Sequence, residues 1–167
     1  EMALCLVGSE MCIRDRSYDS KQIVVSTGAK QSLFNVVYAL INPGDKAILT
    51  APYWVSYHAM LHLTHADIQI VQTHIDDNYK IGPEQLDDSL TLDTKLVFLT
   101  TPSNPTGSMY TKEELGNLVT VLERYPKTYI ISDEIYEYIT YGQEHISLGT
   151  FSSCLLYTSP SPRDITP

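Results

Sequence analysis

The sequence predicts an α/β fold, a doubly wound, mostly parallel sheet with helices on both faces. Three observations carry this expectation. The runs Lys46–Thr50, Leu96–Leu99 and Tyr129–Ser132 are short and rich in apolar, β-branched or aromatic residues, as strands covered on both faces are. Between them lie stretches whose apolar residues recur at helical spacing. Polar and turn residues directly follow the runs, at the strand ends where open α/β sheets bind ligands.

Taken in order, Ile23-Val24-Val25-Ser26 reads as a short strand and Thr27-Gly28 as a turn. Ala29 to Ile41 reads as a helix with Leu33, Val36, Val37, Leu40 and Ile41 on one stripe. Asn42-Pro43-Gly44-Asp45 stops it with turn residues. Lys46–Thr50 is the next strand, Ala51-Pro52-Tyr53-Trp54 a loop, and Val55 to Thr64 a helix. Asp67–Gln72 alternates in polarity, which predicts a strand near a sheet edge. Gly82 to Leu90 is helical with Pro83 in its first turn, and the following strand ends at Thr100. Thr111 to about Arg124 is a helix opened by a capping box, Thr111 with Glu114 three residues on. The last strand ends at Asp133.

The two ends of the chain stand apart from this pattern. One DNA string can encode Glu10 to Asp15 while its reverse complement encodes Cys154 to Ser159, and extending the string extends the match to Pro160-Ser161-Pro162-Arg163. The pair resembles translated sequencing-library adaptor. The expectation is therefore that residues 1–16 and 154–167 are foreign, that 17–153 is part of one larger domain, and that both natural ends are missing.

Composition bounds the function. Within 167 residues, 11 Lys and Arg stand against 20 Asp and Glu, and the acidic excess survives trimming of the ends. A nucleic-acid partner is not expected, because phosphate backbones need basic patches. Cys5, Cys12 and Cys154 lie in or beside the suspect ends, leaving no disulfide framework and no thiolate metal site in the body. His58, His62, His65, His74 and His145 lack an HExxH pattern, although His58 and His62 could share a helix face, so no metal is expected. No apolar run reaches the ~18 residues needed to cross a bilayer. No membrane partner is expected, and the reading is a cytoplasmic protein.

The chemistry concentrates in Thr101-Pro102-Ser103-Asn104-Pro105-Thr106-Gly107 and Ile130-Ile131-Ser132-Asp133-Glu134-Ile135-Tyr136. These place an amide, a carboxylate and a phenol just past neighbouring strands. A carboxylate there can pair with a protonated ring nitrogen, while an amide and a phenol can hydrogen-bond a ring oxygen. Gly28, Ala29 and Lys30 sit where a strand turns into a helix, so their backbone N–H groups and the helix dipole can hold a phosphate. Neither a P-loop nor a GxGxxG fingerprint is present, which argues against a nucleotide.

With Ser26-Thr27-Gly28-Ala29-Lys30-Gln31 and Pro52-Tyr53-Trp54, these motifs resemble the class I and II, fold-type I pyridoxal-phosphate-dependent aminotransferases, closest to the prokaryotic aspartate-aminotransferase-like branch. The resemblance runs from about Ile23 to Phe151 and covers part of the family's large domain. It implies a pyridoxal 5'-phosphate cofactor with its phosphate at Gly28, Ala29 and Lys30 and its ring stacked on Trp54. It also implies that Asp133 pairs the ring nitrogen, that Asn104 and Tyr136 bond the ring oxygen, and that Trp54 and Asn104 lie against the substrate. The partners implied are an amino acid, a 2-oxo acid and a second copy of the enzyme, and the reaction a ping-pong amino transfer.

Lys30 is not the Schiff-base lysine, because the family's lysine follows the Asp-Tyr strand in a Ser-rich turn. This sequence reaches Ser147-Leu148-Gly149-Thr150-Phe151 and then enters the suspect end, so no catalytic lysine is assigned within it and the chain alone is expected to be inactive. A related lyase or synthase, or the effector domain of a transcription regulator, would share these motifs.

Overall fold

The computed structural model describes residues 24–151 and the backbone of 156–158. Residues 1–16 and most of the suspect C-terminal segment lie outside the described residues.

Between successive strands a helix or turn returns the chain to the same end of the sheet. Helix α1 spans Ala29–Leu40, and β1, Lys46–Ala51, leads to α2, Val55–Leu63. Strand β2, Asp67–Gln72, precedes α3, Pro83–Ser89. Strand β3, Thr94–Thr100, precedes α4, Lys112–Leu122, and then come β4, Tyr129–Asp133, and β5, Leu156–Thr158. Single 3-10 turns lie at Ile75–Asp77 and Leu148–Thr150.

The strands form one sheet in the order β2-β1-β3-β4-β5, and every pairing is parallel. Alternation along the strands sorts side chains onto two faces. Ile48, Val97, Leu99 and Ile130 pack with Leu86, Leu115, Leu118 and Leu122 from α3 and α4. Ala47, Leu49, Leu96, Phe98 and Ile131 pack with Leu33, Val37, Tyr57 and Leu61 from α1 and α2. The doubly wound expectation holds, with helices on both faces.

The predicted stripe of α1 is the buried one: Leu33, Val37 and Ile41 are buried, with Val36 and Leu40 packed beside them. The turn Asn42–Asp45 stops this helix with Gly44 at φ +86° and the Asp45 carboxylate accepting from the Asn42 N–H at 2.8 Å. Strand β2 lies at the sheet edge, as its alternation predicts. The capping box of α4 forms in full: Glu114 N–H donates to Thr111 Oγ1 at 3.2 Å, and Thr111 N–H donates to Glu114 Oε2 at 2.7 Å.

Two expectations are corrected. Val24–Ser26 is not a strand: no strand among the described residues pairs with it, and Val24 is 81 % exposed. The β-branched pair Val24 and Val25 has no ladder to join without a neighbour. Nor does the sheet end at Asp133, because β5 pairs with β4, Ile131 opposite Leu156 and Asp133 opposite Thr158. A strand buried on both faces carries two hydrogen-bonding edges, and β5 satisfies the second.

Replacing Thr111 by Ala removes a cap whose side chain is exposed and otherwise unpacked. The expected loss is about 1 kcal/mol, read from the urea midpoint at an unchanged slope.

Candidate functional site

The winding direction reverses between β1 and β3, and the C-terminal ends of β1, β3 and β4 open on that crevice. Trp54 caps the start of α2 just past β1, Asn104 lies in the turn past β3, and Asp133 is the last residue of β4. Asp133 is 3 % exposed. Its Oδ2 accepts from the Tyr57 hydroxyl at 2.5 Å, and its Oδ1 accepts from the Ile135 N–H at 3.3 Å. The main chain joins in, with the Thr101 N–H donating to the Asp133 carbonyl at 3.1 Å.

Tyr57 is the hub on this face. Its ring stacks on Phe98 with centroids 4.7 Å apart and meets the edge of Trp54 at 5.4 Å, and its hydroxyl lies 3.1 Å from Thr100 Oγ1. Burial, and then the negative charge of Asp133, hold the phenol far above its ordinary range. The phenol is therefore held in its neutral form, as a donor to Asp133.

Asn104 and Tyr136 form a second pair, the amide Nδ2 donating to the phenol oxygen at 3.4 Å. Both are half-buried, with polar ends available to a ligand at the strand ends. Gly28, at φ 102°, is the N-cap of α1, and no side chain caps that end. Its carbonyl accepts from the Gln31 and Ser32 N–H groups, while Ala29 and Lys30 open the helix. A helix start without a side-chain cap suits an anion. The Lys30 ammonium lies 4.9 Å from the Trp54 ring, which ties this turn to the end of β1. The structure thus joins Lys30, Trp54, Tyr57 and Asp133 in one chain of contacts and Asn104 with Tyr136 in another, on adjacent strand ends.

Glu134 points the opposite way from Asp133. Fully buried, it accepts from Ser132 Oγ at 2.8 Å, from Ser147 Oγ and the Leu148 N–H at 3.0 Å each, and meets His145 Nε2 at 3.1 Å. Glu134, Glu137 and His145 bring ligand-type atoms within 4.8 Å of one another. The donors already gathered on Glu134 make this a brace that ties the 145–148 loop to β4. His58 and His62 do share a helix face, stacked at 6.2 Å. A broad concavity of about 1220 Å³ lined by Lys80, Tyr110, Lys112, His145 and Phe151 includes none of Trp54, Asn104, Asp133 and Tyr136. No helix among the described residues is long and apolar enough to cross a membrane.

Sequence reading missed Tyr57, Thr100 and the Glu134 brace. The signal for Tyr57 was present, since a tyrosine one helical turn after Trp54, on the apolar side of α2, needs a buried partner for its hydroxyl.

The family model described as aminotransferase class I and II matches residues 14–159. A probable aspartate/prephenate aminotransferase of Rickettsia felis is 44% identical over 124 residues, which are 74% of this chain and 30% of that protein. A bifunctional aspartate aminotransferase and glutamate/aspartate-prephenate aminotransferase of Petunia hybrida is 44% identical over 126 residues, 75% of this chain and 26% of its own length. The structure of an aspartate aminotransferase from Thermus thermophilus with maleate superposes with a TM-score of 0.86 at 33% identity, covering 93% of this chain and 41% of that one. The chain spans about 30% of the length of the curated relatives it matches.

Burial pushes the Tyr110 phenol up to about 12. Its folded value is raised above the ordinary 10.0, so its contribution to stability is whole below about pH 10 and is lost as pH rises toward 12. Unfolding free energy followed across that window should fall, and the tyrosinate absorbance of Tyr57 and Tyr110 should be missing from the folded protein at pH 10. Glu134→Gln places an amide N–H among the donors that Glu134 now accepts. Chemical denaturation should show a loss of about 3 kcal/mol or more.

Proposed function

Because this chain belongs to the class I and II aminotransferases, we propose that it forms part of the cofactor-binding large domain of a pyridoxal-phosphate enzyme that transfers an amino group between an amino acid and a 2-oxo acid. The observation that carries the reading is the buried Asp133 carboxylate at the C-terminal end of β4. A carboxylate at the C-terminal end of a buried strand is placed to pair with a protonated pyridine nitrogen.

The other residues fit the same group. The uncapped start of α1 at Gly28, Ala29 and Lys30 offers N–H groups and a positive dipole end to a phosphate. Trp54 is half-buried and offers a flat indole to a flat electron-poor ring. Asn104 and Tyr136, already paired, offer two hydrogen-bonding groups to one ring oxygen, and we assign Asn104 to the substrate as well. When bound, pyridoxal phosphate supplies an electron-poor ring that takes up the electron pair left at Cα on deprotonation. Asp133 would keep the ring nitrogen protonated for that purpose, Trp54 would lie against the ring, and the amide and phenol would hold its oxygen.

Residues 17–153 are taken as the natural part of the chain, and β5, which falls in the suspect C-terminal segment, closes the outer edge of β4 in this chain. The lysine that moves the Cα proton and the arginine that binds the substrate carboxylate are assigned to parts of the longer protein outside this sequence. The names of the relatives point to aspartate as amino donor and prephenate as one acceptor. They are named aminotransferases, so the regulator reading is set aside. The intact enzyme is taken to be a homodimer. Phe34 and Tyr38, stacked at 5.6 Å on the outer face of α1 with Tyr38 64 % exposed, support a face covered by further chain or by a second copy.

The test uses the full-length gene product, assayed with aspartate and prephenate and titrated with pyridoxal phosphate. Asp133→Ala should lower kcat on the order of 100-fold or more, and Trp54→Phe about 10-fold or less, since one removes a charge partner and the other keeps an aromatic face. Equal losses would count against the two assignments, and no cofactor uptake by the unmutated protein would sink the reading itself.

A further inference from the structure

Resting on that reading, we propose that Tyr57 is a positioning residue for the cofactor: its hydroxyl, held between Thr100 and Asp133, fixes the Asp133 carboxylate where it meets the ring nitrogen.

The geometry leaves the phenol little freedom. Tyr57 is 2 % exposed, its ring is clamped between Phe98 at 4.7 Å and the edge of Trp54 at 5.4 Å, and its oxygen touches both Thr100 Oγ1 and Asp133 Oδ2. The two carboxylate oxygens of Asp133 are told apart by different donors, Oδ2 by Tyr57 from α2 and Oδ1 by the Ile135 N–H. A carboxylate pinned through each oxygen cannot rotate freely. The same tyrosine sets the edge of Trp54, so one side chain relates the plane on which the ring would stack to the group that would hold its nitrogen. Burial and the neighbouring negative charge raise the phenol well above its ordinary range, which favours its role as donor.

The experiment is a cycle of Tyr57→Phe and Asp133→Asn in the full-length gene product. Its readouts are the dissociation constant for pyridoxal phosphate, the pH at which the visible band of the bound cofactor titrates, and the melting temperature without cofactor. Tyr57→Phe keeps the ring and its stacking and removes only the hydroxyl. Loss of one hydrogen bond to a charged group should weaken cofactor binding about tenfold. The band titration should move by about half a pH unit or more, ~0.7 kcal/mol at the cofactor group that titrates.

In the Asp133→Asn background the same substitution should change neither quantity, because Tyr57 acts through Asp133. An unchanged affinity and titration in the Asp133 background, or equal losses in both backgrounds, would overturn the proposal. A lower melting temperature with an unmoved titration would reduce Tyr57 to a packing residue and also overturn it. If Tyr57→Phe does not fold, 3-fluorotyrosine at position 57 makes the hydroxyl more acidic without deleting it, and an unmoved titration again overturns the proposal. If Asp133→Asn alone leaves cofactor binding and the band untouched, the cofactor reading of the site fails, separately from the role of Tyr57.

Discussion

The central constraint in this molecule is the burial of β3 on both faces and both edges. Leu96 to Leu99 are between 0 and 3 % exposed, and β3 lies between β1 and β4 with parallel pairing to each. Parallel neighbours cannot be joined by tight hairpins, so the chain must cross over and return to the same end before each new strand. The crossovers become the helices that cover the two faces, and every strand then delivers its C-terminal residue to one rim. Trp54, Thr100, Asn104 and Asp133 meet at that rim because β3 cannot be covered another way.

Alternation at the end of β4 gives two adjacent carboxylates opposite duties. Asp133 falls on the side of α1 and α2, where Tyr57 reaches it, and Glu134 falls on the side where Ser147, His145 and the Leu148 N–H converge. Both are buried at a cost that only hydrogen bonds can offset. Glu134 is surrounded by donors from this chain and secures a loop. Asp133 faces the crevice, with polar groups from three strand ends beside it. A pair of acids that look equivalent in the sequence thus divides into a structural brace and a carboxylate on the rim of the crevice.

Much of this was legible beforehand, where local chemistry and periodicity agreed. The α1 stripe, the edge character of β2 and the Thr111–Glu114 box each follow from spacing and turn residues alone, and each is present. The strand ends that carry Asn104, Asp133 and Tyr136 were legible because turn residues follow apolar runs. Val24 and Val25 misled, since β-propensity without a paired neighbour does not make a strand. Strand β5 is not legible locally because pairing is a property of two distant segments, and nothing in Leu156–Thr158 itself shows that it lies beside β4. Tyr57 was passed over for a similar reason. Its partner lies in another strand unit, and only the sheet order brings α2 over the end of β4.

The order β2-β1-β3-β4 also bears on how the protein is made. Both neighbours of β1 lie later in the chain, so as it leaves the ribosome β1 can close one edge on β2 while the other stays open until Thr100 has emerged. β3 then waits in turn for β4. At each stage the nascent chain carries an unpaired edge flanked by apolar faces, the kind of surface that aggregates or recruits a chaperone. A sheet that gathers its strand ends into one crevice is, during synthesis, a sheet with its interior edge unsealed.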